Sequence, residues 1–570
     1  MQSSAHSHPR NTLLSWTLDL LGAALLVGLF YALWMGHHAL FTPDEGRYPE
    51  IAREMVATGD YITPRLNGVV FLDKPALYYW LQASAIRLFG LKEWAIRLWP
   101  MLFGVAGAVA TLATGRLLFN RRTGWLAAIM LASCPLYYGA AHYANLDLEV
   151  AILISLTLFS VLLADRQPAG TARSLLFFSV WIFAALAFLT KGLIALAFPV
   201  MITGLWLLLS GNKWRLLTEV HWLKGPALFL AIVLPWYWLV QKANPGFLHF
   251  FFVTQQVSRF LSQQDFNNQS PFWFYLPVVF AGFFPWIVFS LQGIVAAFRQ
   301  SGFRNSRGFL LIWFLVVLVF FSLPRSKTIG YILPTLPPLA LLTACYLDGL
   351  WDDKTLKHIR LSLWLFWALA FTVIPGVCIG AWLQNAPLWP WMIATASVFV
   401  LTGLWLVFLA RDMKKTRIST ACMGLLVASL VFLLIFLGSA STLNQDSLKP
   451  LALSIKASIK PGDEIVTWYK YWQDLPVYLE KRITAVSDWH APDIPLRDNW
   501  VRELWYGMAF QDTSDWLISE KTFWERWNSS KRIYVLVDKN RLHLFRAHAG
   551  SATIIEKGEY NDVLWLTNHQ

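Results

Sequence analysis

At 570 residues, 56% hydrophobic and only 14% charged, the chain is too apolar to be soluble throughout, since soluble domains carry about 25% charged residues. Its formal net charge is +13. The cations are spread along loops instead of gathering on one soluble face, so nucleic acid is not expected as a partner. Cys134, Cys345, Cys378 and Cys422 all lie in apolar runs without metal-ligand spacing, where thiols act as small hydrophobes.

The apolar residues fall in runs of about 20, the length that carries a helix across a ~30 Å hydrocarbon core. Backbone facing lipid must pair its own amides, so such runs are helices. Thirteen are predicted, at about 13–35, 97–115, 124–141, 148–164, 174–190, 193–209, 226–243, 276–298, 309–323, 331–350, 361–383, 391–410 and 420–442. The first is longer than a signal-peptide core and no small-residue cleavage site follows it, so it is expected to be a retained span. With the N-terminus in the cytoplasm, nineteen Lys and Arg fall on inside segments, and the short outside loops keep only Lys191, Arg325 and Lys327. That is the positive-inside pattern, and thirteen spans then leave the C-terminus outside.

Two external loops are long, at about 36–96 and 244–275, which marks them as functional. Tyr48–Thr58 and Pro75–Phe89 are predicted as short amphipathic helices near the membrane surface. Residues 443–570 hold no further run. Ile465–Tyr469 and Arg532–Val537 are predicted as strands, with Leu475–Glu480 and Ile483–Val486 as further candidates. Nine Trp in this segment point to a surface resting on the membrane or on the helices.

The first loop opens with Thr42-Pro43-Asp44-Glu45-Gly46-Arg47-Tyr48. One acid there would only favour the first turn of a helix. Two acids with Arg47 behind them exceed that need, and partial desolvation suits a carboxylate at this position to proton transfer. Asp73-Lys74-Pro75 offers an ammonium for a phosphate or a surface ion pair, with Asp73 also open to a metal. Asp147 stands in a very short outside loop and Glu149 just inside the next span, where acids are costly unless they face a cavity. Arg259 is the lone Lys or Arg of the 244–275 loop, either an anion ligand or a snorkelling cation. Arg325 and Lys327, followed by Tyr331, run against the positive-inside trend and point to an anion. Together the acids Asp44, Glu45 and Asp147 and the cations Lys74, Arg259, Arg325 and Lys327 describe one external site suited to moving a group off a lipid phosphate. Cations would stabilise the leaving phosphate, and a carboxylate would manage an acceptor proton or positive charge on a sugar.

Pro43-Asp44-Glu45-x-Arg47-Tyr48, Asp73-Lys74-Pro75, Asp147, Thr190-Lys191-Gly192 and Arg259-Phe260 resemble the motifs of lipid-linked glycosyltransferases of the GT-C fold. The likeness covers essentially the whole chain and is strongest to the branch of aminoarabinose transferases acting on lipid A. It implies a polytopic α-helical membrane protein, residues 1–442 forming a transmembrane catalytic domain and 443–570 a periplasmic α/β domain, in a bacterial inner membrane. The implied reaction is inverting transfer of 4-amino-4-deoxy-L-arabinose from undecaprenyl phosphate to a lipid A phosphate at the periplasmic face, giving resistance to polymyxin and other cationic peptides. By position, Asp44 is the principal catalytic carboxylate and Asp147 faces the same cavity. Lys74 and Arg259 hold the carrier phosphate, with Arg47, Glu45, Tyr331, Arg325 and Lys327 also toward the substrates. The family pattern places a His three residues before the loop arginine, where this chain has Gln256. Asp73 and His249 are the remaining metal candidates; the residues demand no cofactor, and a divalent metal is compatible with them. Transfer of galactosamine or a neutral hexose from the same carrier would use the same motifs. A lipid transporter or flippase would place its polar residues near mid-membrane in paired halves, whereas here they gather on one face.

Overall fold

The computed structural model describes residues 9–211, 214–258, 269–301, 303–351, 359–383, 388–411, 417–444 and 446–569. Among them, nine helices are long and apolar enough to cross a membrane. Two further pairs are bent spans, Arg121–Ala132 with Pro135–Ala141 by 67° and Tyr275–Gly282 with Ile287–Arg299 by 112°. Pro135 and Pro285 sit at these breaks, where a missing N–H cannot continue the helical ladder. Two shorter apolar helices, Ile194–Ser210 and Ser306–Ser322, complete the set, and each of the thirteen predicted runs coincides with one member. The protein is thus a polytopic α-helical membrane protein.

Asp147–Arg166 is the inner strut of the bundle, buried on nearly every face from Asp147 to Val161, as a helix apolar all round requires. The span Leu13–Ala32 is its opposite, leaving Leu14, Leu18, Leu21 and Leu25 exposed for lipid.

The long loop between the first two spans is folded throughout. Its helix Asp44–Thr58 ends at Gly59, which adopts φ 74°, the left-handed closure that glycine allows cheaply. A hairpin follows, β1 (Arg65–Leu66) pairing antiparallel with β2 (Val69–Val70). Asn67 and Gly68 both take positive φ in its turn, the demand of a tight two-residue connection. The helix Leu77–Phe89 completes the loop. Both loop helices were expected as amphipathic helices near the membrane surface, their apolar faces toward it. Instead Ile51, Met55, Tyr78 and Tyr79 pack in one cluster with Val501 and Leu504 of the C-terminal segment, so their apolar faces meet protein.

After the last span, Ile418–Thr442, the chain builds a six-stranded sheet from β3 (Glu464–Trp468), β4 (Thr484–Val486), β5 (Leu517–Ile518), β6 (Ile533–Asp538), β7 (Ile555–Tyr560) and β8 (Val563–Thr567), in the order β5-β4-β3-β6-β8-β7. The four strands β5-β4-β3-β6 run parallel, with Val466 beside both Thr484 and Val535, and β8 joins β6 antiparallel. Buried along their whole length, β3 and β6 are covered on both faces, as parallel strands are. The candidate strand Leu475–Glu480 is instead a helix over Leu475–Leu479. Pro476 fixes the φ of its first turn, and Leu475, Pro476 and Val477 are buried in succession instead of alternating.

Candidate active site

A cavity of about 1050 Å³ opens where the span ends, the loop between the first two spans and the C-terminal sheet domain meet, at the upper end of the size of small-molecule sites. Asp44, Arg47, Asp73, Lys74, Asn145, Asp147, Lys191 and Tyr331 form its membrane side, and Lys470, Gln473, Asp498, Arg502, Glu503 and Tyr506 line it from the C-terminal domain.

Asp44 is fixed by two neighbours. Asn145 Nδ2 donates to its Oδ2 at 2.7 Å, and Arg47 Nη1 lies 3.3 Å from its Oδ1. Asn145 also caps the central span, its Oδ1 accepting the Asp147 N–H at 2.7 Å, so one amide sets the spacing of the two acids. Arg47 reaches across to the C-terminal domain and meets Glu503 Oε1 at 2.6 Å, while Gln473 donates to the other Glu503 oxygen at 3.0 Å. Burial alone would loosen the Arg47 proton, but Glu503 and then Asp44 outweigh it and hold the guanidinium above its ordinary pKa. Arg47 therefore stays charged at every physiological pH.

Asp147 pairs with Lys191 at the end of its own span, and the Lys191 ammonium lies 4.4 Å from the Tyr331 ring centroid. Lys74 donates to the Asp73 carbonyl at 3.3 Å. Asp73 in turn accepts from Gln255 Nε2 at 3.0 Å, tying the second long loop to the first.

Glu45 does not join the substrate space. It is 0% exposed, and its carboxylate is held by Arg97 at 2.8 and 2.7 Å and by the N–H groups of Phe41 and Ala144 at 2.9 and 2.8 Å. Burial pushes its pKa up; Arg97 and the two amides outweigh that and leave it below the ordinary carboxylate value. Adjacent helical residues point about 100° apart, so with Asp44 facing the cavity Glu45 must turn into the wall. There it joins Arg97 to the segment carrying Asn145. Arg325 and Lys327 also leave the expected single site: they line a separate pocket of about 460 Å³. Arg259 lies outside the described residues.

A metal finds no support in the described residues, among which no group of three or more His, Cys, Asp and Glu is placed to hold one. Asp73 is engaged by Gln255, and His249 is exposed. The residues missed from the sequence are Asn145, Gln473 and Glu503. Lys191 had a visible signal, being one of only three cations in the short outside loops. Glu503 had none, because its partner is 456 positions away.

The family model for dolichyl-phosphate-mannose-protein mannosyltransferases matches residues 73–238. The undecaprenyl phosphate-alpha-4-amino-4-deoxy-L-arabinose arabinosyl transferase of Pectobacterium carotovorum is 30% identical over 529 residues, covering 89% of this chain and 90% of that one. The protein of Sodalis glossinidius named as arabinosyl transferase 2 of the same type is 31% identical over 389 residues, 67% of each chain. The crystal structure of ArnT from Cupriavidus metallidurans bound to undecaprenyl phosphate superposes with a TM-score of 0.82 at 26% identity, covering 97% of this chain and 98% of that one. On this likeness, which spans bundle and sheet domain together, the chain belongs to the family of undecaprenyl phosphate-alpha-4-amino-4-deoxy-L-arabinose arabinosyl transferases.

Proposed function

We propose that this enzyme transfers 4-amino-4-deoxy-L-arabinose from undecaprenyl phosphate to a phosphate of lipid A, with inversion, at the periplasmic face of a bacterial inner membrane. The N-terminus is cytoplasmic and the sheet domain periplasmic in this reading, supported by the nineteen inside cations. The observation that carries it is the Asp44 carboxylate, held by Asn145 and Arg47 in a cavity that also presents Lys74 and the Asp147–Lys191 pair. Related transferases bear the donor's name.

An acceptor phosphate is already anionic at neutral pH and needs no general base. One of its oxygens forms the new bond to the anomeric carbon as the bond from that carbon to the carrier phosphate breaks. The electron pair departs with undecaprenyl phosphate. Lys74 and Arg47 stabilise the leaving phosphate, and Asp44 steadies positive charge developing on the sugar. Asp147, neutralised by Lys191, helps shape the floor on which the sugar rests.

Asp44→Asn preserves the side-chain shape and removes the charge, so kcat is expected to fall by about 10²–10³ while donor binding survives. A rate near wild type rules out this role. Lys74→Ala is expected to weaken undecaprenyl phosphate binding about tenfold. Unchanged carrier affinity would return Lys74 to a surface pair with Asp73.

A further inference from the structure

The smaller pocket is formed where residues 269–272 meet the segment that links Ser306–Ser322 to the span beginning at Ile329. This crossing is firmly built. Gln269 bridges Ser326, and the Ser270 N–H donates to the Arg325 carbonyl at 3.0 Å. Lys327, 4% exposed, spends its ammonium on the carbonyls of Ser270, at 3.1 Å, and Pro324. Tyr275 Oη holds the Thr328 carbonyl at 3.0 Å.

Lys327 is thus a structural pin, and Arg325 differs from it. Its side chain is exposed, and among the described residues its guanidinium has neither ion pair nor hydrogen-bond partner. Leu323 at 76% and Phe272 at 75% exposure line the same pocket, and Trp273, next along the chain, is 52% exposed. An aromatic and aliphatic rim beside a cation, at the external end of spans, matches the boundary where lipid tails give way to headgroups. The same short segment reaches the larger cavity, which Thr328 and Tyr331 line. Arg325 to Thr328 is three residues, at most about 10 Å of chain.

We propose that Arg325 and its apolar rim seat the acceptor: a membrane lipid whose sugar headgroup carries phosphate. The guanidinium pairs with a phosphate in the forked geometry that arginine favours, and the rim meets the acyl chains. Seated there, the lipid presents its headgroup to the cavity at Tyr331, beside the Asp147–Lys191 pair. This rests on the lipid A reading above and adds a second phosphate site, distinct from the carrier's.

The test uses the full chain in nanodiscs. With acceptor titrated, Arg325→Glu and Arg325→Gln are expected to raise the KM for lipid A by about ten- to a hundredfold, with kcat and the donor KM within twofold of wild type. An unchanged acceptor KM, or an equal rise in the donor KM, overturns the seat. Donor-free binding of bis-phosphorylated lipid A supplies an arm independent of turnover. Loss of binding in Arg325→Glu, with undecaprenyl phosphate binding intact, supports the seat even if wild type transfers no aminoarabinose, an outcome that would sink the transfer reading instead. If phosphatidylglycerol competes equally and responds equally to Arg325→Glu, the patch is a general lipid contact and the proposal fails.

Discussion

Gly330 shows how closely the floor of the site is fitted. A Cβ there would stand 2.4 Å from Asp147 Oδ2 and 3.0 Å from its Cβ, so any side chain must displace the carboxylate whose other oxygen pairs with Lys191. Gly330→Ala is expected to lower kcat at least tenfold, with the carrier affinity at Lys74 unchanged, as steady-state transfer and carrier binding would register. Retained turnover would mean that the position of Asp147 is irrelevant to the reaction. At this scale the sequence was legible where a residue's surroundings alone made it improbable. Asp44 and Asp147 stand as acids at a membrane surface, where an unneeded carboxylate is costly. Glu45 misled because adjacency in sequence hides a turn of about 100° on a helix. Asn145 and Glu503 were silent, since an ordinary polar residue becomes special only through a partner brought to it by folding.

Helix Asp44–Thr58 meets the C-terminal domain without a side chain between them. A Cβ on Gly46 would lie 2.4–2.6 Å from the backbone of Gln473 and Asp474. On the other side of the joint, one on Gly507 would strike the Val70 carbonyl at 2.2 Å. Asn67 seals the contact, exchanging hydrogen bonds of 2.9 Å with both the N–H and the carbonyl of Ile483. Gly46→Ala is expected to cost about 1–3 kcal/mol by overpacking and to part Arg47 from Glu503. Thermal unfolding and kcat would fall together; a variant as stable and active as wild type would show that the joint is loose. The spans were readable because twenty apolar residues have one fate in a bilayer. The loop helices were readable as amphipathic, yet periodicity tells which face is apolar and not what covers it. The hairpin had its signal in Asn67-Gly68 between apolar residues. The helix Leu475–Leu479 was misread because five apolar-rich residues fit either period.

Across the whole molecule, membrane part and sheet domain share a buried acid at their junction. Asp474 follows Gln473 at the Gly46 contact. Its Oδ2 accepts from Ser447 at 2.8 Å and from the Leu448 N–H at 2.9 Å, and among the described residues its buried Oδ1 has no hydrogen-bond partner. Burial raises its pKa to about 6, against an ordinary 3.8. The folded state therefore binds this proton more tightly than the unfolded one. The contribution is complete below about pH 4 and fades as pH climbs through about 6. A shift of this size is worth about 3 kcal/mol at most. Asp474→Asn keeps the acceptor and supplies donors to the empty side, so it is expected to raise Tm at pH 8 and flatten the pH dependence between 4 and 7. An unaltered slope would place the proton elsewhere.

The bond between Arg47 and Glu503 joins positions 456 residues apart, and that separation is also an interval of time. At roughly 5–20 residues per second, a ribosome makes Asp44 and Arg47 about 20–90 s before Glu503 exists. Throughout synthesis the growing protein sits in a bilayer that supplies its substrates, holding half of a reactive centre. Because the other half is encoded so late, the Arg47–Glu503 contact closes only on a nearly complete chain.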